Sequence, residues 1–539
     1  MSDTVFDVVI LGGGLAGMTL ALQLRQTMPD IRIRVLERRA HPVPEAAFKV
    51  GESSVEIGAH YFANVLGLLP HLGEQQIRKF GFRFFFNDGS RHIERCTELG
   101  VSMLLPTPSW QIDRGRFENF LGEHLRAEGI EFVDAASVRE VRLADDDGPH
   151  QLRYTCADET HEISARWVID ASGRAGLLKR QLDLAQLNDH DVNSAWWRVE
   201  GIVDPNDWSD DEAWLGRCTP RDRWRSTNHL CGNGYWIWMI PLSSNAHSIG
   251  IVADEAIHPL ASMNTYEKAT DWLHTHQPQL AAALAGPEHA LMDFRFLRHF
   301  SYACKQVFSA KRWALTGEAG YFADPFYSPG SDFIGISNSY ITELIQLDRA
   351  GQPIAMHVTL FEQLYRSFYD NTMSLYRGQY GLFGNAEVMP IKVIWDYAFY
   401  WAMLAPLFIS GRIARVDVLG KLRALMERAA ALNGAMQPLL RAWGEASGYG
   451  TPEDGRLLDQ FKIGWFHEMN RALHDKLDDA AFNDRISGNI QLLMQLADDI
   501  RAHIHARHPD ISTQGLAGLI DAEAARPPSM LPPEWWLGA

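Results

Sequence analysis

Cysteine is scarce in this chain of 539 residues, and the few cysteines do not cluster. None belongs to a Cys-x-x-Cys pair, and none lies beside a group of histidines. Zinc sites and disulfide frameworks need such spacings, so the pattern argues against both and favours a reducing compartment. The five cysteines are Cys96, Cys156, Cys218, Cys231 and Cys304.

Positive charge is also in short supply. The chain has 50 lysines and arginines against 67 aspartates and glutamates, which leaves a net charge of −17. A chain this acidic lacks the basic surface that broad nucleic-acid binding requires, so we expect no nucleic-acid partner. The first residues lack the charged and then apolar pattern of a signal peptide, and we expect a cytoplasmic protein.

Long hydrophobic runs are absent as well. The most apolar window, residues 393–410, is short for a membrane span and contains Asp396 and Pro406. We therefore predict no transmembrane segment. The window is interpreted as a buried or substrate-lining helix, with contact to a membrane surface as the alternative.

The front of the chain carries a glycine-rich motif between two predicted strands. An apolar run from Val5 to Leu11 precedes Gly12-x-Gly14-x-x-Gly17, an apolar helix follows, and a second strand ends at Glu37. In this order the glycines permit a tight turn, close approach of the backbone to a pyrophosphate, and packing of helix on strand, while the acid accepts from a ribose hydroxyl. The cofactor-binding candidates here are Gly12, Gly14, Ala16, Gly17 and Glu37.

Two later stretches indicate that the dinucleotide is FAD. WVIDASGRAG (167–176) and RWALTGEAGYFADPFYSPGSDFIG (312–335) resemble the internal FAD-contact motifs of the flavin monooxygenase class. A glutamate stands in the second motif where the class usually has aspartate, and no second GxGxxG follows downstream. We predict bound FAD and no separate NADPH domain. The candidates from these stretches are Asp170, Gly317, Glu318, Pro325 and Gly330.

Four motifs resemble the flavin-dependent halogenases. Trp236-Ile-Trp238-Met-Ile240-Pro241 matches the family's WxWxIP signature, and the segment from Phe322 to Gly330 matches F-x-x-P-x-x-S-x-G. KVGESSVEIGAHYF (49–62) is similar to the family's GES-type segment, and EQQIRKFGFRFFF (74–86) has Lys79 at the position of its catalytic lysine. The resemblance covers roughly residues 5 to 345.

The resemblance implies a reaction sequence. Reduced FAD, supplied by a separate NAD(P)H-dependent flavin reductase, reacts with O2 to a flavin hydroperoxide, and chloride or bromide takes the distal oxygen to give hypohalous acid. Lys79 then hydrogen-bonds this acid or becomes a haloamine, and an electron-rich aromatic ring takes up the halogen. The resemblance also implies that Trp236 and Trp238 form a wall between flavin and substrate, with Pro241 closing the strand.

Other interpretations of these residues stay open. Two indoles can simply fill one face of a sheet. Lys79 can be an ordinary solvated lysine, and Arg78 is the neighbour most easily confused with it. Arg114, which matches a family arginine near the flavin, can be an unspecialised residue at a helix start.

The loop over residues 324–333 departs from the family pattern. The resemblance implies backbone donors for halide here, and the candidates are Ser328, Gly330 and Ser331. Pro329 has no N–H to donate, and Asp332 would repel a halide if it were ionised nearby. Tyr327 replaces the glutamate of tryptophan halogenases, which favours a phenol, a pyrrole or an aromatic acyl group on an acyl- or peptidyl-carrier protein. No general base is assigned.

We predict an α/β fold: a Rossmann-like FAD-binding domain of the flavin monooxygenase class over residues 1–340. An inserted substrate-side sheet interrupts it at about 80–110 and 190–300, and a helical C-terminal region covers 341–539. A group of arginines is a candidate docking surface for an acidic carrier protein, with a solvated loop as the alternative. These arginines are Arg217, Arg221, Arg223 and Arg225. The rival functions are a flavin hydroxylase or other oxidoreductase on the same scaffold, and a non-catalytic flavoprotein partner in a biosynthetic assembly.

Overall fold

The computed structural model describes residues 5–45, 49–87, 92–449, 455–520 and 529–536. The chain forms two compact units and passes between them five times along the sequence. The first unit contains residues 1–76, 112–189 and 301–369, and the second contains residues 77–111, 190–300 and 370–539.

The first unit is built on an eight-stranded sheet with the order β18-β19-β10-β1-β2-β7, extended by β8 and β9 beside β10. β1 runs parallel to both β2 and β10, the arrangement of a dinucleotide-binding sheet. Its strands are β1 (Val5–Leu11), β2 (Ile33–Leu36), β7 (Glu131–Val133), β8 (Ala136–Arg142), β9 (His150–Cys156), β10 (Glu159–Asp170), β18 (Phe308–Ser309) and β19 (Trp313–Leu315). A small separate pair consists of β11 (Ala185–Leu187) and β17 (Tyr302–Cys304).

Seven helices belong wholly or mainly to the described part of this unit: α1 (Leu15–Thr27), α2 (Glu56–His60), α3 (Leu69–Gln75), α4 (Arg114–Ala127), α5 (Leu177–Gln181), α9 (Gly330–Arg349) and α10 (Ala355–Ser374). The side chain of Asn338 in α9 donates to the hydroxyl of Tyr61 (2.9 Å) and to the Ala16 carbonyl (3.2 Å) of α1. These bonds explain why all of α9 groups with the FAD-binding sheet, although the sequence pattern assigns its residues from 341 onward to a helical C-terminal region.

The second unit has its own eight-stranded sheet with the order β16-β12-β15-β14-β13-β4-β5-β20. The strands are β4 (Phe82–Phe86), β5 (Thr97–Gly100), β12 (Val192–Glu200), β13 (Thr227–Gly232), β14 (Tyr235–Leu242), β15 (Ala246–Asp254), β16 (Leu291–Leu297) and β20 (Arg456–Asp459). β3 (Ile77–Arg78) and β6 (Trp110–Gln111) form a separate short antiparallel pair in the same unit. β20 comes from the stretch that the sequence pattern predicts to be helical, and it pairs with β5.

β14 carries different side chains to the two faces of this sheet. Ile237 and Met239 belong to a hydrophobic cluster with Trp197, and the alternating tryptophans Trp236 and Trp238 lie on the opposite face. The strand does not end at Pro241, as the sequence suggested, but continues to Leu242. Pairing of β14 with β13 stops at Met239, so the proline lies beyond the last β13 partner and its missing N–H leaves that ladder intact.

Nine helices complete the described part of the second unit: α6 (Glu212–Leu215), α7 (Tyr266–His276), α8 (Pro278–Leu284), α11 (Val388–Ala402), α12 (Leu404–Ile409), α13 (Val416–Ser447), α14 (Gly464–Ala472), α15 (Asp479–Arg507) and α16 (Gln514–Ala517). The apolar window at 393–410 forms α11 and α12, which are largely buried. Within the described ranges, no helix combines the length and apolar character needed to traverse a bilayer.

Candidate functional sites

The glycine motif of the first unit forms a tight turn. Gly12 has φ +116°, and a Cβ there would lie 2.3 Å from the Ala171 carbonyl oxygen, so only glycine is tolerated. Gly14 differs, because its φ of −84° is accessible to any residue and no protein atom lies within 4 Å of an added Cβ. The space beside Gly14 is therefore open, which is what the backbone needs to approach a ligand closely.

The start of α1 and the end of β2 suit the two halves of a dinucleotide. α1 has no side-chain cap and no acidic residue in its first turn, so the N–H groups there remain suited to phosphate. Glu37 Oε2 accepts from Gly13 N (2.7 Å) and Oε1 accepts from Arg39 N (2.8 Å). This carboxylate is thereby fixed at the end of β2, and the donor set fits FAD.

The second flavin motif meets the first. Gly317 has φ +59°, and a Cβ there would lie 2.8 Å from Ala16 Cβ. Glu318 follows in a recess where part of its surface is exposed, and the surrounding protein raises its pKa by burial. The charges of Arg174, Arg114 and Lys179, in that order, oppose this rise in the pKa.

Arg114 is held in place at the first residue of α4. Its guanidinium donates to the Val50 carbonyl (2.6 Å) and to Glu118 Oε1 (2.6 Å). Glu118 is buried and also pairs with Lys49. Arg114 therefore joins the GES-type segment to α4 and contributes positive charge near Glu318.

Asp170 has a local role in the turn after β10. Its Oδ1 accepts from Ser172 N (3.0 Å) and Ser172 Oγ (2.6 Å), and its Oδ2 accepts from Leu178 N (2.7 Å). Burial raises the pKa of this carboxyl group. Both oxygens are engaged by the turn, so the residue fixes the backbone that follows β10.

The halide-loop candidates lie at the start of α9. Ser328 adopts φ +53°, and its N–H donates to the Pro325 carbonyl (2.9 Å). Pro329 occupies the N-cap position, and Gly330 and Ser331 begin the helix, where N–H groups have no acceptor within the helix. Pro329 has no N–H to donate, but the N–H groups of Gly330 and Ser331 remain at the start of the helix, a position that favours an anion.

Asp332 does not lie on the exposed surface of this loop. It is buried, and its Oδ1 accepts from Gly58 N (2.8 Å) in α2. A Cβ on Gly58 would lie 2.1 Å from Ser331 Oγ, so α2 can approach α9 only with glycine at that position. The sequence singled out Asp332 but gave no sign of this contact with Gly58.

Lys79, in the second unit, is buried with 2% of its surface exposed. Its Nζ lies 3.3 Å from the ring centroid of Phe82, within the range of a cation–π contact. Its backbone N donates to the Ser109 carbonyl (2.9 Å). The interpretation of Lys79 as a solvated lysine is therefore wrong.

The backbone on either side of Lys79 is held by one arginine. Arg225 Nη2 donates to the Arg78 carbonyl (3.2 Å), and the Arg225 carbonyl accepts from Phe80 N (3.1 Å). The side chain of Arg78 instead reaches over the ring of Trp110 (5.8 Å). The clamp on residues 78–80 fixes the direction in which the lysine points.

His229 is the residue of this neighbourhood that sequence reasoning missed. Its ring centroid lies 5.3 Å from that of Phe82 and 4.9 Å from those of Phe84 and Trp236. Burial, and secondly the charge of Lys79, hold the pKa of His229 well below its usual range, so the imidazole is neutral. Its place on β13 gave no ligand spacing or motif by which to find it.

The two indoles of the WxWxIP motif lie on the same side as His229. Their ring centroids are 5.8 Å apart, Trp236 Nε1 donates to Tyr380 OH (3.0 Å), and Trp238 Nε1 donates to Ser248 Oγ (3.2 Å). A Cβ on Gly250 would lie 2.2 Å from the Trp238 ring, so β15 makes room for this indole. We call Lys79, Phe82, Phe84, His229, Trp236 and Trp238 the lysine cluster.

One helix of the C-terminal segment reaches the lysine cluster. Tyr397 of α11 lies 6.3 Å from Phe82 between ring centroids and 5.1 Å from Trp401. The apolar window thus provides both core and a contact with the Phe82 ring, in agreement with its interpretation as a buried or lining helix.

Two of the four arginines at 217–225 do not belong to a free basic surface. Arg223 is fully buried, pairs with Glu98 (2.9 Å) and covers the ring of Trp214 at 4.2 Å. Arg225 pairs with Asp222 (2.9 Å) in addition to its contacts around Lys79. These two side chains stabilise the fold. The interpretations of Arg223 and Arg225 as part of a docking surface or of a solvated loop are therefore wrong.

Comparison with known proteins agrees with this geometry. A family profile described as "FAD binding domain" matches residues 5–278. The flavin-dependent halogenase chlA of Dictyostelium discoideum is 27% identical over 437 residues, which cover 75% of this chain and 71% of that protein. The 1H-pyrrole-2-carbonyl-(peptidyl-carrier protein) chlorinase of Pseudomonas fluorescens is 25% identical over 355 residues, which cover 61% and 73%.

The fold agrees with a solved structure. Halogenase PltM in complex with phloroglucinol and FAD superposes with a TM-score of 0.66 at 17% identity, and the match covers 90% of this chain and 99% of that chain. The predicted α/β fold with an FAD-binding domain is therefore confirmed. The chain belongs to the FAD-binding domain family, and its resemblance to the flavin-dependent halogenases is confirmed.

Proposed function

We propose that this chain halogenates an electron-rich aromatic compound, with FAD as cofactor and chloride or bromide as the second substrate. The observation that carries the proposal is the burial of Lys79 against Phe82, beside the neutral His229 and the indole of Trp236. Burying an ammonium group costs free energy, and an apolar side chain would fill the same space more favourably. A lysine retained in such surroundings is a candidate for chemistry.

The first unit supplies the residues that would hold FAD. The open turn at Gly14 and the N-terminus of α1 suit the pyrophosphate, Glu37 suits a ribose hydroxyl, and the cations around Glu318 add positive charge. When bound in its reduced form, FAD supplies the two electrons with which dioxygen converts halide into hypohalous acid. The sequence has no second GxGxxG, which supports a separate NAD(P)H-dependent reductase as the source of reduced flavin.

The backbone donors of Gly330 and Ser331 would receive the halide. They belong to the first turn of α9, where N–H groups and the positive end of the helix dipole favour an anion. The hydrogen bond from Gly58 N to Asp332 fixes the nearby carboxylate against α2.

Lys79 would deliver the halogen in one of two ways. Its ammonium can donate a hydrogen bond to the oxygen of hypohalous acid while the aromatic ring takes the halogen. Alternatively, its neutral amine attacks the halogen, forms an N–halogen bond and releases water; the ring then takes the halogen, and the N–halogen electron pair returns to nitrogen. In both cases the ring finally loses one proton to a base.

We propose a phenol or a pyrrole as the substrate, either free or as an acyl group on a carrier protein. The name of the P. fluorescens relative and the phloroglucinol bound to PltM support this class. Tyr327, at the position of a glutamate in tryptophan halogenases, argues against free tryptophan.

The test is an intact-mass assay of products. The purified chain would be incubated with FAD, NADH, an added flavin reductase, and chloride or bromide, against phenols, pyrroles and pyrrolyl-carrier protein. A mass gain that changes with the halide supports the proposal and identifies the halide. A gain of one oxygen that is indifferent to halide would make the protein a hydroxylase, and bound FAD without any product would favour a non-catalytic flavoprotein.

A further inference from the structure

Helix α11 brings one partly exposed side chain to the lysine cluster. The ring centroid of Tyr397 lies 6.3 Å from that of Phe82, the ring that Lys79 Nζ approaches to 3.3 Å. Tyr397 is partly exposed, whereas Trp401 and Phe466, whose ring centroids lie 5.1 Å and 5.8 Å from its own, are buried. Within this group of rings, Tyr397 is therefore the one that solvent reaches.

The six side chains of the lysine cluster are all buried. An aromatic substrate that reacts at Lys79 has to reach it from solvent, and a partly exposed ring in contact with a buried cluster marks a route of approach. Tyr397 and Phe82 together connect solvent to Lys79 in this way. A tyrosine suits such a position, because its ring packs on an aromatic compound and its hydroxyl forms hydrogen bonds with a polar substituent.

The rotation of α11 about its own axis is fixed by a buried polar network with α13. Lys392 Nζ donates to Asp396 Oδ2 (2.6 Å) and to Gln437 Oε1 (2.9 Å), and Gln437 Nε2 donates to Asp396 Oδ1 (2.9 Å). All three side chains are buried, where a polar group that loses its hydrogen bonds costs free energy. Tyr397 directly follows Asp396, about 100° further round the helix, so the network also fixes the direction of the tyrosine.

We propose that Tyr397 is a specificity-determining residue, whose ring contacts the aromatic substrate and whose bulk limits the size of the substrate that reaches Lys79. The inference rests on the proposed function, because it concerns the substrate of that same site. Removal of the Tyr397 ring would make room for a larger substituent, and a bulkier ring at this position would exclude it. Such selection by size acts through packing and steric clash, and it changes the preference between substrates more than the reactivity of Lys79.

Competition between phenol and para-phenylphenol in the halogenation assay tests the proposal. Tyr397→Ala should shift the ratio of the two kcat/KM values at least about tenfold in favour of para-phenylphenol, a typical effect of altered pocket size. Tyr397→Trp should shift the ratio in favour of phenol. Tyr397→Phe keeps the ring and should change the ratio less than about threefold. A general loss of stability would not produce opposite shifts in the alanine and tryptophan variants.

Phe399→Ala is the matched control. Phe399 is also a partly exposed aromatic residue of α11, but it lies about 200° from Tyr397 around the helix axis. Its removal should change the ratio of kcat/KM values less than about threefold. Equal shifts in Phe399→Ala and Tyr397→Ala, or the same preference in all the Tyr397 variants, would overturn the proposal.

Calorimetric titration with the same two phenols separates this inference from the proposed function. Tyr397→Ala should strengthen the binding of para-phenylphenol relative to phenol about tenfold, and Phe399→Ala should not. Unchanged relative binding, or binding of neither phenol, would overturn the role of Tyr397 whether or not halogenation occurs. The expected shift in binding without any halogenated product would support the contact with Tyr397 and count against the proposed function.

Discussion

The two units bury charge in different ways. In the first unit, Glu318 lies among three cationic side chains, and Arg114, one of these, is tied to Glu118. In the second unit, Lys79 lies on the face of Phe82 beside a neutral histidine. The first arrangement balances charge with charge and suits the binding of a charged cofactor. The second places an ammonium group against an aromatic ring, at the site proposed for the chemistry.

The largest effect should come from Lys79→Met, which keeps the length of the side chain and removes its nitrogen. We expect the halogenation rate to fall by about 10³-fold, within the range for loss of a general acid–base group, with FAD affinity unchanged. Product mass and flavin titration measure the two quantities.

Arg78→Met is the matched control for that variant. It removes the neighbouring charge, which reaches over Trp110, and should retain most of the activity. Equal losses of activity in Arg78→Met and Lys79→Met would contradict the prediction. They would mean that activity depends on positive charge in this segment and not on Lys79 in particular.

The next effect concerns the open space beside Gly14. Gly14→Ala adds a methyl group that touches no protein atom within 4 Å, so the fold should be unaffected. The methyl group would instead meet the pyrophosphate, and we expect FAD affinity to fall about tenfold to a hundredfold, the equivalent of about 1–3 kcal/mol of overpacking. Fluorescence titration with FAD gives the affinity, and the thermal midpoint of the FAD-free protein reports the fold.

Gly73→Ala, in α3, provides the control for the added methyl group, since no atom lies within 4 Å of a Cβ there either. It should leave FAD affinity unchanged. A fall in FAD affinity with Gly73→Ala, or none with Gly14→Ala, would remove the pyrophosphate from the proposed place.

Local signals were sufficient to predict the first unit. The glycines, their strands and Glu37 depend on residues near one another in sequence, and the structure arranges them as expected. The lysine cluster is different, because Lys79, His229 and Tyr397 come from distant segments. Motif matching found the lysine and the indoles but had no means of finding the histidine.

Two further misses have the same physical origin. Gly250 is required by the bulk of Trp238 on the neighbouring strand, and Gly58 by the approach of Ser331. The arginines near 223 read as a basic surface because their partners, Glu98 and Trp214, are remote or unremarkable in the sequence. Contacts across a sheet have no fixed spacing along the chain.

A smaller effect on FAD affinity is expected at Glu318, where two variants separate the charge of the side chain from its length. Glu318→Gln leaves the charges of Arg174, Arg114 and Lys179 without their shared acid, whereas Glu318→Asp restores the residue usual in the flavin monooxygenase class. We expect FAD affinity to fall about fivefold in the glutamine variant, the equivalent of about 1 kcal/mol, and to change less in the aspartate variant. A loss in the aspartate variant with none in the glutamine variant would mean that the length of the side chain, rather than its charge, matters here.

The smallest effect concerns stability in acid. Burial, and secondly the charge of His289, lower the pKa of His247 to about 3, and its Nδ1 accepts from Val203 N (3.1 Å). Because the pKa is lower in the folded state than in the unfolded state, where it is about 6.5, the unfolded chain binds the proton more tightly. The stabilising contribution is therefore complete above pH 6.5 and is lost as the pH falls towards 3, by at most about 1.4 kcal/mol per pH unit.

His247→Asn removes this titration while keeping an acceptor for Val203 N. The thermal midpoint of the variant should lie closest to that of the unsubstituted protein at pH 5 and furthest below it at pH 8. The exposed His274 supplies the control for the substitution itself, because His274→Asn changes no buried imidazole. His229, whose pKa is depressed in the same direction, should add a further loss of stability in acid, one that moves when the charge of Lys79 is removed. Because Lys79 opposes protonation of this imidazole, Lys79→Met should raise the pKa of His229 in the folded state. The loss of stability at His229 should then be smaller and end at a higher pH, while the contribution of His247 stays where it was. An equal change in the contributions of His229 and His247 would contradict this prediction. It would mean that the charge of Lys79 acts on both histidines alike and that they do not titrate as separate sites.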